Sequence, residues 1–233
     1  MLQAWYLALQ AWYPTRRLLL IPTDADNLGK VYLVDDDRDF LASLVFLLRK
    51  ADLNCVPFHS AADFLAAEIE VGPACLILDL AMPLMSGMEL FRELKRRNYK
   101  KPIAFLTAVG TIPSAVEATK LGAAEFIEKP IEASELIDRV KQHLESDRQA
   151  MIRSSAVEEF EKKFQALTAR ELEIVMLMRD GLLSKQIASQ LGISIKTIEV
   201  HRSHISKKLG AKSAAQLLQL LSQPNLPQLT PAR

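Results

Sequence analysis

Residues 29–147 predict an α/β, doubly wound parallel sheet of five strands, and residues 164–223 predict a small all-α unit of four helices. Three observations carry this reading. Short apolar runs alternate five times with helical patterns through the first stretch, which calls for a parallel sheet covered on both faces. The later stretch holds capping signals and helical periodicity with no strand pattern. Charge also divides along the chain. Residues 30–147 carry 14 Lys/Arg against 19 Asp/Glu, a net −5, whereas residues 160–223 carry 10 against 5, a net +5. An acidic part and a basic part imply different partners, and the basic part is the candidate for nucleic acid.

Taken in order, Val31–Val34 is the first strand and the pattern around Phe40–Arg49 the first helix. Cys55–Phe58 is the second strand, with a helix from Ser60 to about Glu70. Ala74–Leu78 is the third, with a helix near Gly87–Arg97. Ile103–Leu106 is the fourth, with a helix from Pro113 to Leu121. Glu125–Ile127 is the fifth, and a last helix runs from Glu132 to about Glu145. Ligands of such sheets sit outside the carboxyl ends of the strands, where the strand order reverses.

The residues just past those ends are the informative ones. Asp35, Asp36 and Asp37 follow the first strand, Asp79 the third, Thr107 ends the fourth and Lys129 follows the fifth. An Asp triplet alone is as well explained by a solvated loop or a helix cap. Placement of all these groups at the ends of four strands points to one crevice. Crowded carboxylates repel, by roughly 4 kcal/mol for two charges 4 Å apart at an effective dielectric near 20. A divalent cation or the lysine must offset that, and Mg²⁺ prefers one or two carboxylates plus phosphate oxygens. The physical reading is a phosphoryl-handling site without a nucleotide cradle.

Val-Asp-Asp at 34–36, Leu-Asp-Leu-Ala-Met-Pro-Leu-Met-Ser-Gly at 78–87, Leu-Thr-Ala at 106–108 and Phe-Ile-Glu-Lys-Pro at 126–130 resemble the bacterial response-regulator receiver. The resemblance spans residues 29–147 and implies a flavodoxin-like sheet ordered 2-1-3-4-5. It implies that Asp79 accepts a phosphoryl group as an acyl phosphate and that Asp35, Asp36 and Asp79 hold Mg²⁺. Lys129 then pairs with the transferred group, Thr107 donates to one of its oxygens, and Phe126 is the aromatic switch residue. The Lys129–Pro130 bond is expected to be cis. From the residues themselves, Gly87 suits a left-handed turn after Asp79 and Pro83 fixes that loop's path. Ala108-Val109-Gly110 and Ile131 depart from the commoner pattern without removing a site residue.

Residues 148–163 read as a helical, solvated linker, with Phe160 and Phe164 packing onto the helical unit beyond it. Thr168-x-x-Glu171 is a capping box opening a helix that ends near Gly181. Ser184 is read as the cap of a second helix, Lys185–Leu191, which Gly192 terminates. Ser194 caps a third, Ile195–Leu209, and Ser213 a fourth, Ala214–Leu221. Ile198, Ile205 and Leu209 should face the core. A short helix, a glycine turn and a longer basic helix make a DNA-reading unit, though a dimerisation bundle with a charged face fits the pattern equally.

Leu-Thr-Ala-Arg-Glu at 167–171, the run Ile-Ala-x-x-Leu-Gly-Ile-Ser at 187–194 and Lys-Thr-Ile-Glu-Val-His-Arg at 196–202 resemble the LuxR-type helix-turn-helix. A receiver joined to this module is the NarL/FixJ family, and Ile-Glu-Val-His-Arg leans toward its FixJ-like branch. Lys185, Lys196, Thr197, Glu199, Val200, Arg202, Ser203, Lys207 and Lys208 are the candidate DNA contacts. Glu199 and Val200 are placed to read bases, Lys196 to reach a guanine edge or a phosphate, and Arg202, Lys207 and Lys208 to hold phosphates. His201 and His204 lie one turn apart, which is too little for a metal site. The resemblance implies a sensor histidine kinase as phosphodonor, a double-stranded DNA operator, contact with RNA polymerase, and a homodimer on phosphorylation that activates transcription. It implies no enzyme beyond the receiver's own acyl-phosphate chemistry. A phosphorylation-independent DNA binder and a phosphotransfer sink are the rival readings.

Four expectations concern the rest. Residues 1–28 hold an exact repeat, Leu-Gln-Ala-Trp-Tyr at 2–6 and 9–13, and are read as a poorly ordered extension, the alternative being a docking stripe. Residues 224–233 are a tail. Cys55 and Cys75 lie in apolar stretches and read as buried hydrophobes of a reducing, cytoplasmic compartment, and no run of 18 uncharged apolar residues predicts a membrane span.

Overall fold

The computed structural model describes residues 28–108 and 112–221. The chain divides into two compact units, Met1–Arg153 and Ser154–Arg233. The Leu-Gln-Ala-Trp-Tyr repeat, Val109-Gly110 and the tail lie outside the described residues.

The first unit alternates β1 (Lys30–Val34), α1 (Arg38–Lys50), β2 (Asn54–Phe58), α2 (Ala61–Ala66), β3 (Ala74–Leu78), α3 (Gly87–Arg96), β4 (Ile103–Thr107), α4 (Ile112–Lys120) and β5 (Glu125–Glu128). It is completed by the first part of α5 (Ala133–Gln165). The strands form one parallel sheet in the order β2-β1-β3-β4-β5, as the receiver resemblance implies. Strand side chains alternate between faces, and the two cores follow that period. Val31, Leu33, Cys75, Ile77 and Leu106 pack with Leu41, Leu44 and Leu48 of α1 and Leu136, Val140 and Leu144 of α5. Tyr32, Val34, Leu76, Leu78 and Phe105 pack with Phe64 of α2 and Leu90, Phe91 and Leu94 of α3. Every residue of β3 is buried, which suits a strand covered on both sides.

Local chemistry sets the helix ends. Asp37 caps α1, its carboxylate accepting from Asp39 N and Phe40 N. The third carboxylate of the triplet is thus a helix cap, the alternative its sequence left open. Helix α2 ends at Ala66, earlier than the pattern through Glu70 predicts. Ala67 is extended, Glu70 N donates to Tyr32 Oη at 3.3 Å and Ile69 packs on the second core, so these tertiary bonds replace the helix's last turn. Ser86 and Glu89 form a capping box at α3. Gly87 differs from the expectation of a left-handed turn. It is the first residue of α3, and a Cβ there would lie 2.0 Å from the Asp79 carbonyl oxygen. The left-handed residue of this loop is Leu84, at φ 68°.

Helix α5 is a single 33-residue element, and Phe160 and Phe164 near its end pack on the core of the second unit. That unit continues with α6 (Ala169–Arg179), α7 (Ser184–Leu191), α8 (Ile195–Leu209) and α9 (Ala214–Leu221). Its core holds Ile174, Val175, Ile187, Leu217 and Leu221, together with Ile198, Ile205 and Leu209 as their spacing predicts. Thr168 and Glu171 form the expected capping box, and Ser194 accepts from Thr197 N. Gly192 ends α7 at φ 66°, the conformation a helix stop of this kind requires. Ser184 is not the cap of α7: Leu183 holds that position, and its N–H is met by Gln186 Oε1 at 2.8 Å. Among the described residues no helix is long and apolar enough to cross a membrane.

Candidate functional site

Four strand ends converge on one crevice. Asp35 N donates to Phe58 O at 3.2 Å, Asp79 N to Val34 O at 2.9 Å and Lys129 N to Thr107 O at 2.8 Å, so ladder-like backbone bonds position each site residue. Asp35 and Asp79 are 5% and 8% exposed and Thr107 is fully buried. Lys129 Nζ bridges the two carboxylates, 2.9 Å from Asp35 Oδ2 and 3.1 Å from Asp79 Oδ1. The other oxygens are met by backbone donors: Asp37 N to Asp35 Oδ1 at 2.9 Å and Ala81 N to Asp79 Oδ2 at 2.7 Å. Asp36 is exposed at the rim. Phe126 is half-buried on β5, its ring 5.7 Å from that of Phe105. The Lys129–Pro130 bond is cis.

Two buried carboxylates share one ammonium, and Asp36 follows Asp35 in the chain with its side chain exposed. An excess of hard oxygen donors over cations is what a divalent ion such as Mg²⁺ requires. No group of three His, Cys, Asp or Glu among the described residues is gathered to hold a metal unaided. Asp35, Asp36 and Asp79, the ligands implied for Mg²⁺, are therefore not gathered into one set here, although Asp35 and Asp79 share the Lys129 ammonium.

Sequence reasoning missed Phe40. The Lys129 ammonium stands 3.7 Å from the centroid of its ring. A cation over an aromatic face is attracted by the ring's quadrupole, so Phe40 supplies the third side of the lysine's cage. Only its place in the α1 pattern was visible. Also missed was Asp147, which the sequence places at the edge of the linker. It is buried, and its Oδ2 accepts from Ala74 N at 2.9 Å and Lys101 Nζ at 2.8 Å, tying α5 to the opposite end of the sheet.

In the second unit Lys185, Lys196, Thr197, Glu199, Val200, Ser203 and Lys207 are exposed, on α7 or α8. Arg202 is half-buried and donates from Nη1 to Ser184 Oγ at 2.7 Å. Ser184 Oγ also lies 2.6 Å from Glu199 Oε1. Lys208 differs from the expectation of a free phosphate-binding group: its Nζ pairs with Glu171 Oε2 at 2.6 Å. Burial pushes the Glu171 carboxyl up, but Lys208 and the Thr168 N–H and hydroxyl outweigh it and hold the group below its ordinary value. A buried capping carboxylate needs a counter-charge, and Lys208 is the cation within reach.

Comparisons with known proteins agree with both halves. The response regulator receiver domain model matches residues 31–141, and the model for bacterial regulatory proteins of the luxR family matches residues 165–221. Nodulation protein W of Bradyrhizobium diazoefficiens is 36% identical over 198 residues, 85% of this chain and 87% of that protein. The transcriptional regulatory protein FixJ of Azorhizobium caulinodans is 36% identical over 82% of this chain and 90% of its own. The solved structure of the response regulator StyR superposes with a TM-score of 0.75 at 39% identity, covering 82% of this chain and 97% of that one.

Proposed function

Because the chain belongs to the two-component response regulators that join a receiver to a LuxR-type DNA-binding domain, we propose that Asp79 is its phosphoacceptor and that phosphorylation licenses DNA binding. The chain is a transcription regulator, as its relatives are. The observation that carries the finer reading is the Lys129 ammonium bridging two buried carboxylates at the end of the sheet.

In this reading a carboxylate oxygen of Asp79 attacks the phosphorus of a phosphohistidine on a sensor kinase. The P–N bond breaks, the imidazole leaves with its electron pair and takes up a proton, and an acyl phosphate remains. The Ala81 N–H keeps one oxygen of Asp79 in place. Lys129 moves with the transferred group, since its ammonium already lies at Asp79 Oδ1. Preorganised charge of this kind is the main lever of such a site. Asp35, Asp36 and Asp79 would hold Mg²⁺, which when bound neutralises charge on the phosphoryl oxygens. Thr107 donates to one of those oxygens, and Phe126 turns inward into the space its movement opens.

The boundaries we assign are an extension at 1–28, a receiver at 29–147, a linker at 148–163, a DNA-binding domain at 164–223 and a tail at 224–233. Phosphorylation relieves masking by the receiver, two copies associate on an operator in the cytoplasm, and transcription is activated through contact with RNA polymerase. Lys196, Glu199 and Val200 read bases, while Lys185, Thr197, Arg202, Ser203 and Lys207 hold the backbone. Incubation with a small acyl-phosphate donor and Mg²⁺ tests the first step. The wild-type chain should acquire a base-labile, acid-stable label and Asp79→Asn none, because an amide cannot form the acyl phosphate. Label persisting on Asp79→Asn would move the acceptor elsewhere.

A further inference from the structure

We propose that Ser184 is a specificity-determining positioning residue of the DNA-binding face, acting through Glu199 and Arg202. The inference rests on the proposed function, in which α8 meets base edges, and deepens it.

Ser184 is the first residue of α7, yet its hydroxyl is not spent on that helix's end. Leu183 takes the cap position, with Gln186 Oε1 meeting the Leu183 N–H. The Ser184 hydroxyl turns instead toward α8, 2.7 Å from Arg202 Nη1 and 2.6 Å from Glu199 Oε1. A guanidinium only donates and a carboxylate only accepts. The hydroxyl must therefore accept from Arg202 and give its single proton to Glu199. The order Arg202 to Ser184 to Glu199 is fixed by valence, and donors aligned this way polarise one another.

Glu199 and Arg202 stand three residues apart on α8 and so share a face. Left alone, ions at that spacing pair directly. Here the serine stands between them, bonded to both. Glu199 thereby keeps Oε2 for the exocyclic amine of a base, as cytosine N4 offers in the major groove. Arg202 keeps its remaining N–H groups for phosphate. Removal of the hydroxyl lets the Glu199 carboxylate collapse onto the Arg202 guanidinium, which withdraws the acceptor from the base while the guanidinium still has N–H groups left for phosphate.

The test uses the full chain held active with beryllofluoride and Mg²⁺. A randomised duplex library defines the preferred sequence of the wild type, and competition against a base-substituted series then compares Ser184→Ala, Ser184→Thr, Glu199→Ala and the double variant Ser184→Ala/Glu199→Ala. We expect Ser184→Ala to relax preference about tenfold at the base pair that Glu199→Ala relaxes. The double variant should relax it no further than Glu199→Ala alone, and Ser184→Thr, which keeps the hydroxyl, should restore it. Unchanged affinity for unrelated duplex and an unchanged melting midpoint separate this from a structural defect. The inference is overturned if Ser184→Ala keeps the full preference or weakens all sequences alike. A wild-type chain that enriches no sequence overturns the DNA-binding reading and this inference with it, whereas enrichment with an indifferent Ser184→Ala overturns the inference alone.

Discussion

The crevice of the first unit and the outer face of α8 in the second hold charge in opposite ways. In the crevice Asp35 and Asp79 are buried and every one of their oxygens has a donor within 3.1 Å. On α8 most candidate contacts stand in solvent, and those that are bonded are bonded to neighbours on the same unit. A site that holds a transferred group gains from low dielectric, which strengthens each interaction. A surface that reads DNA needs long side chains free to reach, and its charges remain screened by salt. Among the described residues the basic unit therefore fully buries none of its cations, and Lys208 and Arg202 are half-buried where they serve Glu171 and Ser184.

Several measurements put that contrast at risk. The largest effect is expected where burial is deepest. Lys101→Met removes the ion-pair partner of Asp147, whose side chain is 5% exposed, and a buried charge that loses its partner costs about 3 kcal/mol. Urea unfolding, with hydrogen exchange reporting on the sheet amides, should show that loss in the first unit. A variant as stable as wild type would show the pair to be dispensable.

Lys208→Ala should cost the second unit less, about 1–2 kcal/mol, since Lys208 is one-third exposed and partly screened. Its pH dependence is diagnostic. The folded Glu171 carboxyl is held below its ordinary 4.5, so the stability it contributes is present above that value and fades as pH falls through the lower folded value. Removing Lys208 narrows the gap, so thermal midpoints measured below pH 4.5 should fall less steeply in the variant than in the wild type. An unchanged slope would mean that Thr168 alone sets the shift.

Phe40→Leu keeps apolar bulk but removes the aromatic face beneath Lys129. A cation–π contact of about 1 kcal/mol corresponds to about fivefold, so labelling by a small phosphodonor should slow by about that factor, with Phe40→Tyr close to wild type. Equal rates for Leu and Phe would leave the ring a packing role only. Smallest of all, deleting residues 1–27 should change neither labelling nor DNA binding, because no assigned site residue lies there. A loss of dimerisation in analytical ultracentrifugation would make the Leu-Gln-Ala-Trp-Tyr repeat a docking stripe.

The sheet and the crevice were legible because strand ends are marked by position in the chain. Asp35, Asp79, Thr107 and Lys129 each follow or end a short apolar run, and parallel topology brings such ends together. The helices of the second unit were legible through Thr168, Ser194 and Gly192, whose effects are local. What stayed hidden were partners distant in sequence. Lys101 and Asp147 are 46 residues apart, Glu171 and Lys208 are 37, and Lys129 meets a ring on α1. Ser184 misled for a related reason: a serine before a helical run signals a cap, but two charged residues of α8 compete for its hydroxyl. Gly87 misled because glycine answers two needs, positive φ and close approach, and one sequence does not distinguish them.

Gly87 and Leu84, three positions apart in the same loop, will behave as opposites in any library of variants. At 84 the side chain is fully in solvent while the backbone sits at φ 68°, so glycine or asparagine should be enriched there and most residues tolerated. At 87 the backbone is ordinary, but the room for a first carbon is taken by the carbonyl of Asp79. Selection for phosphorylation would accordingly return glycine at 87 almost alone, and would favour glycine or asparagine only weakly at 84.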